Sequence, residues 1–381
     1  MSDIVDDEHR ALAFSLWSMG PMLGPIWGPV IGGFVVQYLG WRWTNWLVLI
    51  LSGAALLSVF AIRETYAPAI LRGKAKRRRQ ETDDERWWCR YDEKLSFWPL
   101  LKVNLARPFV MTFTEPICQF WCLFISVVYG ILYLCFVAYP IVFSEVRGWS
   151  PSMSGLAFLG IGVGAFLAIF FEPLIRRMIN AHEVDPDTGK VRPEAMISVV
   201  CIAAILTPIG ELWFAWTSVP KSLHWIWCVL AGVPVRIPPL LLSFLFDGIA
   251  GNVSPDTILP QFGAGNTLTF IYGTNYLAHS YGIYAASALA GNAVARSLVG
   301  GVLPLAGPMM YRSLTPHWAG TLLGAMEVCL IPIPFVFYKY GHRIRMKSQL
   351  INQMQMDKKR LAGKRAALEE QQDGVGPHRD A

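Results

Sequence analysis

Between Gly20 and Gly33, inside an apolar stretch running from Leu12 to Leu39, glycine recurs at positions 20, 24, 28 and 32 and proline at 21, 25 and 29. Each proline removes a backbone donor and crowds the carbonyl one turn back, which in a water-exposed helix costs about 3 kcal/mol. Within a bundle of membrane helices, neighbouring groups re-satisfy the freed carbonyls and the same sequence is tolerated. Gly20, Gly24, Gly28 and Gly32 share one helical face, with Gly33 beside the last of them. Such a face is smooth enough for close backbone approach by a second span. A lone pair of glycines at this spacing means helix packing and nothing more. Four in register with Pro21, Pro25 and Pro29 mark a helix built to bend against a neighbour.

The rest of the chain places that helix in a bilayer. Of 381 residues, 54% are hydrophobic and only 16% charged, and the mean hydropathy is +0.39. A water-soluble domain of this composition would expose a large apolar excess. Runs near the roughly 20 residues needed to span lie at Leu12 to Leu39, Trp43 to Ile62, Phe113 to Phe136, Gly155 to Leu174, Ala195 to Trp216, Tyr281 to Leu305 and Trp318 to Tyr338. With the N-terminus cytoplasmic, the inner segments hold 27 of the 33 Lys and Arg, and the outer loops only Arg42, Arg147, Lys221 and Arg312. That asymmetry obeys the positive-inside rule. The opening Met1 to Glu8 is acidic where a secretory signal would be basic. The seven cysteines form no CxxC and mostly sit in apolar stretches, so neither disulfide nor metal is expected.

The Gly/Pro run resembles the fifth-span signature of major facilitator antiporters, specifically the twelve-span drug:proton antiporters. Further agreement comes from Gly40-Trp41-Arg42-Trp43, Glu64-Thr65-Tyr66-Ala67-Pro68, Tyr129-Gly130-Ile131-Leu132-Tyr133, Ala138-Tyr139-Pro140, Tyr272-Gly273-Thr274-Asn275-Tyr276 and Pro332-Ile333-Pro334-Phe335. The resemblance implies an all-α membrane protein, a major facilitator helix bundle whose spans correspond to five to twelve of twelve. It divides the chain into 1–62, a remnant of the N-terminal half; 63–107, a central cytoplasmic loop; 108–341, the C-terminal half; and 342–381, a cytoplasmic tail. Its order leaves spans one to four without a counterpart, hence the expectation of an N-terminally truncated chain that does not transport alone.

By the same resemblance the function is proton-coupled export of drugs, polyamines or other organic cations by alternating access. The implied partners are the lipid bilayer, a small organic substrate and protons. Neither cofactor nor nucleic acid is implied, and no catalytic residue. The location is the plasma membrane or the vacuolar membrane. Two other classes remain open: a membrane-embedded enzyme, which needs an acid/base constellation that the sequence does not display, and a non-transporting membrane fragment.

Polar side chains within apolar runs are functional candidates, because hydrocarbon penalises them unless they find a partner or a cavity. Glu115-Pro116 opens the seventh span, Glu211 lies in the ninth, Asn292 and Arg296 in the eleventh and Glu327 in the twelfth. Asn292 and Arg296, four apart, share a face; Arg296 is expected in the cavity, held by an acidic partner or by carbonyls. Tyr129 and Tyr133 put two phenols on one face, fit to stack on an organic cation or to serve as ordinary aromatic packing. Val137 stands where relatives often carry a polar or acidic residue, which weakens a polyamine assignment. With the resemblance, the cavity candidates are Glu115, Tyr129, Tyr133, Asn266, Tyr272, Asn275, Asn292 and Arg296. His182-Glu183-Val184-Asp185-Pro186-Asp187 reads as a solvated turn, not a metal site. The basic run Lys74 to Arg79 reads as part of the linker between halves, solvated or against anionic lipid. The tail from Lys347 to Gln372 is rich in helix formers.

The tenth span is interrupted. Gly232-Val233-Pro234 is separated from Phe262-Gly263-Ala264-Gly265-Asn266 by 27 residues, Val235 to Gln261, which carry Arg236, two prolines and a polar loop. Removing them rejoins a span of ordinary length. The insert begins Val-Arg and ends Gln, residues encodable by the border sequences of an intron, and its length keeps the reading frame. It is read as a retained intron, a non-native insert at 235–261. The competing reading is a genuine insertion in which Trp225 to Phe246 serves as the span.

Overall fold

The computed structural model describes residues 10–61, 64–65, 67–84, 87, 89, 97–184, 191–219, 222–231, 235–236, 258–259, 262–348, 350–353 and 356. Helix α1 (Arg10–Leu39) turns at Gly40 into α2 (Trp41–Ala61). Gly40 has φ of 85°, a conformation nearly free for glycine and strained for a residue with a Cβ. The single-residue turn sets the two helices side by side. After α3 (Ala67–Thr82), α4 (Phe97–Thr114) runs almost directly into α5 (Pro116–Tyr139). The long polar interruption is therefore partly helical: Lys74 to Arg79 lie on α3, with Arg77 and Glu81 paired at 2.7 Å, and α4 begins ten residues before the expected loop end at 107.

Pro140 ends α5, since its ring crowds the carbonyl one turn back. The chain continues through a π-helical turn, Pro140–Val146, which Gly148 closes at φ 74°. Short helices α6 (Pro151–Leu156), α7 (Leu159–Phe170) and α8 (Glu172–Asn180) make the next crossing. Ser150 caps α6 ahead of Pro151, a favoured start. Helix α9 (Glu194–Ser218) returns; α10 (Ile226–Leu230) and α11 (Phe262–Tyr281) flank the interruption; α12 (Ala285–Ser313), α13 (Thr315–Leu330) and α14 (Pro332–Lys347) complete the bundle. Among the described residues, six helical segments are long and apolar enough to cross a membrane, and Leu23–Leu39 of α1 forms a shorter apolar stretch. The eleventh span reaches Ser313, past the expected Leu305. The twelfth breaks at Ile331, ahead of Pro332. Of the tail beyond Lys347, 350–353 are helical and 357–381 lie outside the described residues.

The core has two clusters. One gathers Trp121, Phe124, Tyr276, Tyr281 and Phe337, with Trp121 and Tyr276 ring centroids 5.2 Å apart. The other gathers Tyr139, Phe143, Phe158 and Phe214, with Tyr139 within 4.6 Å of Phe158 and 4.8 Å of Phe214. Arg345 and Glu194 bind the end of α14 to the start of α9 through two hydrogen bonds, 3.0 and 3.3 Å, with both side chains largely buried.

The glycines of α1 behave differently from expectation. At Gly20, Gly24, Gly28 and Gly32 a Cβ would meet nothing within 4 Å. Close approach occurs on the adjoining face, where a Cβ on Gly33 would lie 2.6 Å from the Pro151 carbonyl and one on Gly162 of α7 2.8 Å from Ile26. The Ser152 N–H also donates to Gln37 Oε1 at 3.1 Å. Helix α2 buries no residue, and its Trp46, Leu49, Leu57 and Phe60 are exposed.

At the interruption, most of Val235 to Gln261 lies outside the described residues. Val235–Arg236 and Ile258–Leu259 pair antiparallel, and the Phe262 N–H donates to the Ala231 carbonyl at 3.3 Å. The helices on either side rest on consecutive residues of α7: a Cβ on Gly160 would lie 2.6 Å from the Val229 carbonyl, and Gly263 sits against Ile161.

Candidate functional site

Helix α12 reaches its neighbours through three glycines. A Cβ on Gly291 would lie 2.9 Å from the Pro108 carbonyl, on Gly300 3.0 Å from the Tyr129 ring, and on Gly307 3.1 Å from Leu134. Asn292, Arg296 and Gly300 follow at intervals of four and share a face. Because Gly300 seats the Tyr129 ring, the side chain one turn earlier lands over that ring. The Arg296 guanidinium carbon lies 5.2 Å from the Tyr129 centroid and 4.6 Å from that of Phe270 on α11. Tyr129 is held in turn by Tyr133, with hydroxyls 2.8 Å apart and ring centroids 4.5 Å apart at 32°.

Arg296 makes no ion pair among the described residues, and its Nε has no hydrogen-bond partner. The expectation of an acidic partner or carbonyls is thus not met within the described part of the chain. Nor is the Tyr129 face open to a substrate cation, since a guanidinium already occupies it. The rings beside Arg296 are also walls of a narrow cleft lined by Ile125, Val128, Tyr129, Leu132, Asn266, Thr269 and Phe270. A second narrow cleft begins across Leu132 and continues along Pro25 and Ile26 of α1, Phe136, Phe158, Ile161, Ala165 and Thr267. The first lies where the two core clusters meet.

Of the expected cavity residues, Tyr129, Tyr133, Asn266 and Arg296 come together. Asn266 lies on the cleft wall while its Nδ2 donates to the Phe262 carbonyl at 3.2 Å. The others go elsewhere. Glu115 is buried at the junction of α4 and α5 and accepts from the Tyr281 hydroxyl at 3.4 Å. Tyr272 belongs to the Trp121 core cluster, and Asn275 lines neither cleft. Asn292 is almost fully buried, with Nδ2 unpartnered among the described residues. Phe270 and Thr269 were not expected; their signal is spacing, since they follow Asn266 by three and four residues and so share its face.

Glu211 of α9 and Glu327 of α13 form a second buried group, 2% and 3% exposed. Gly320 lets α13 approach α9 here, for a Cβ there would lie 2.6 Å from the Ala215 Cβ, one turn from Glu211. Neither Glu327 oxygen has a hydrogen-bond partner among the described residues. His182 bonds the Met178 carbonyl at 2.9 Å and the Tyr338 hydroxyl at 3.3 Å; Asp185 to Lys190 lie outside the described residues, and no group of three metal-ligating side chains occurs among those described.

Comparison with known proteins agrees with this architecture. The Major Facilitator Superfamily profile matches residues 1–259. The citrinin biosynthesis cluster MFS transporter mrr1 of Monascus ruber is 38% identical over 353 residues, covering 92% of this chain and 65% of the relative. Efflux pump FUB11 of Gibberella moniliformis is 37% identical over 356 residues, covering 92% and 54%. The major facilitator superfamily multidrug transporter mdrA of Aspergillus fumigatus is 35% identical over 353, covering 92% and 53%. The chain thus spans between about half and two-thirds of the length of these relatives. No solved structure matches it.

Proposed function

The chain belongs to the Major Facilitator Superfamily, and from that premise we propose that it forms the substrate-binding C-terminal part of a proton-coupled exporter of small amphipathic organic molecules, working by alternating access. The multi-pass helical architecture and membrane transporter class come with the family. Export is supported by the relatives, two of which are named as an efflux pump and a multidrug transporter. The observation that carries the binding role is the cleft beside Arg296: apolar walls, a polar amide at Asn266 and a clamped cation within the bundle. Binding sites of transporters lie near the bilayer midplane in such positions. Glu211 and Glu327, buried without a cationic partner among the described residues, are the carboxylates we assign to the coupling proton. We assign the protein to the plasma membrane.

The interruption of the tenth span belongs to the same proposal. With the 27 residues Val235 to Gln261 removed, Phe262 stands four residues after Ala231, the spacing at which an α-helix joins N–H to carbonyl. The bond between these two residues at 3.3 Å supports reading α10 and α11 as one helix and the segment between them as foreign to it.

Dye retention tests the exporter reading. Cells expressing the protein from its own gene should clear an amphipathic aromatic dye faster than cells lacking the gene, and a protonophore should remove the difference. Equal retention in both strains would count against export.

A further inference from the structure

We propose that the Arg296 clamp binds an acidic group of the substrate, so that the cleft takes amphipathic organic carboxylates and not organic cations. The inference rests on the exporter reading above and names its substrate class. Arg296 lies 11 residues from Ala285 and 17 from Ser313 along α12, about 16 and 25 Å from the helix ends at 1.5 Å per residue. Its charge is therefore placed far from either end of the span, on a half-buried side chain. Two aromatic rings, Phe270 and Tyr129, lie within 4.6 and 5.2 Å of the guanidinium carbon. The donors of a guanidinium lie in its plane, and a planar fork of N–H groups matches a carboxylate edge-on. Ring contacts use none of those donors, so the edge is the route for recognition.

The described carboxylates of the bundle lie elsewhere. Glu115 accepts from Tyr281, Glu194 pairs with Arg345, Glu172 pairs with Arg176, and Glu211 with Glu327 lies across the interface of α9 and α13. None pairs with Arg296 among the described residues. A half-buried cation midway along a span, without a counter-charge among the described residues, is costly, and a ligand carboxylate lowers the cost only while it is bound. The walls around it, Ile125, Val128, Leu132 and Phe270, suit the apolar body of such a molecule. A cationic ligand would instead meet the like charge of Arg296, with the nearest aromatic faces already taken.

Binding of three probes to the full chain decides the matter: 1-naphthoate, its methyl ester and 1-naphthylmethylammonium, which share a ring system and differ in charge. Nanodiscs of zwitterionic lipid keep anionic headgroups from serving as the ligand. We expect the acid to bind at least tenfold tighter than ester or amine, and Arg296→Gln to remove that preference. Equal binding of acid and ester by the wild-type protein would overturn the inference, as would a preference for acid retained by Arg296→Gln. If the variant fails to fold, the wild-type comparison alone decides. Efflux of the same probes from cells separates the two readings. Arginine-dependent naphthoate binding without efflux keeps the anion site and sinks the exporter; efflux of the amine unaffected by Arg296→Gln keeps the exporter and sinks the anion site.

Discussion

Gly300 and Gly301 are adjacent on α12, yet a Cβ on the first would lie 3.0 Å from the Tyr129 ring and one on the second would meet nothing within 4 Å. Gly300→Val should push Tyr129 off its seat, disturb the ring over which Arg296 rests, and weaken 1-naphthoate binding more than tenfold. Gly301→Val should leave binding within twofold, because its side chain enters open space. Equal effects of the two substitutions in the nanodisc assay would show that the clamp does not depend on this contact. Glu327→Gln keeps shape and removes the ionisable group; it should retain naphthoate binding and lose proton-driven accumulation. Normal accumulation by that variant would remove Glu327 from coupling. At this scale Arg296 was legible from the sequence, since a lone cation far inside an apolar run has few roles. Its clamp was not: whether Tyr129 and Phe270 meet Arg296 depends on how closely α5 and α11 approach α12, and of these Gly300 sets only the approach of α5. Tyr272 was misplaced for a reason the helical wheel contains. Two residues past Phe270, at about 100° per residue, it faces away from the cleft and into the core.

Buried and exposed ion pairs should differ sharply in what they contribute to the bundle. Arg345 and Glu194 are 12% and 10% exposed, whereas Arg312 and Glu145 are 66% and 51% exposed. Arg345→Met leaves Glu194 buried without its partner, a loss of about 3–5 kcal/mol; Arg312→Met removes an exposed pair worth about 1 kcal/mol or less. A thermal melt in detergent should show a far larger fall in Tm for the first. Comparable shifts would mean that the α9–α14 clamp contributes little. The interrupted span makes another prediction at this scale. Mature messenger amplified across Val235 to Gln261 should be 81 nucleotides shorter than genomic DNA, 27 codons of three, and the shortened protein should reach higher membrane levels. A single genomic-length product, with normal levels of the long form, would show the insertion to be genuine. Spans were the most legible elements, because apolar length alone defines them. Their joints were not, since α4 continues into α5 through Glu115 and α13 breaks at Ile331 through local proline placement that hydropathy does not register. The glycine stripe of α1 was legible as a contact surface, but not which neighbour meets it: the described contacts use Gly33 and leave Gly20, Gly24, Gly28 and Gly32 open.

As a whole, the molecule presents a bundle with one cleft between α1, α5, α7 and α11 and another between α5 and α11, and its sequence concentrates arginine and lysine in alternate inter-span segments. That charge asymmetry predicts both termini in the cytoplasm. In a Cys329→Ser background, Cys329 being the exposed thiol among those described, a cysteine replacing Ser222 should react with a membrane-impermeant maleimide in intact cells. One replacing Lys347 should react only after permeabilisation. Labelling of position 347 from outside would invert the arrangement. Family and architecture were legible at this scale from motif order; the proposed substrate charge was not, because it rests on Arg296 making no ion pair among the described residues, a property of three-dimensional neighbours. The most direct measurement is uptake of 1-naphthoate into inside-out vesicles with an imposed acid interior. Vesicles from cells expressing the protein from its own gene should accumulate it above vesicles from cells lacking the gene, and nigericin should abolish the difference; equal uptake by both would contradict the account.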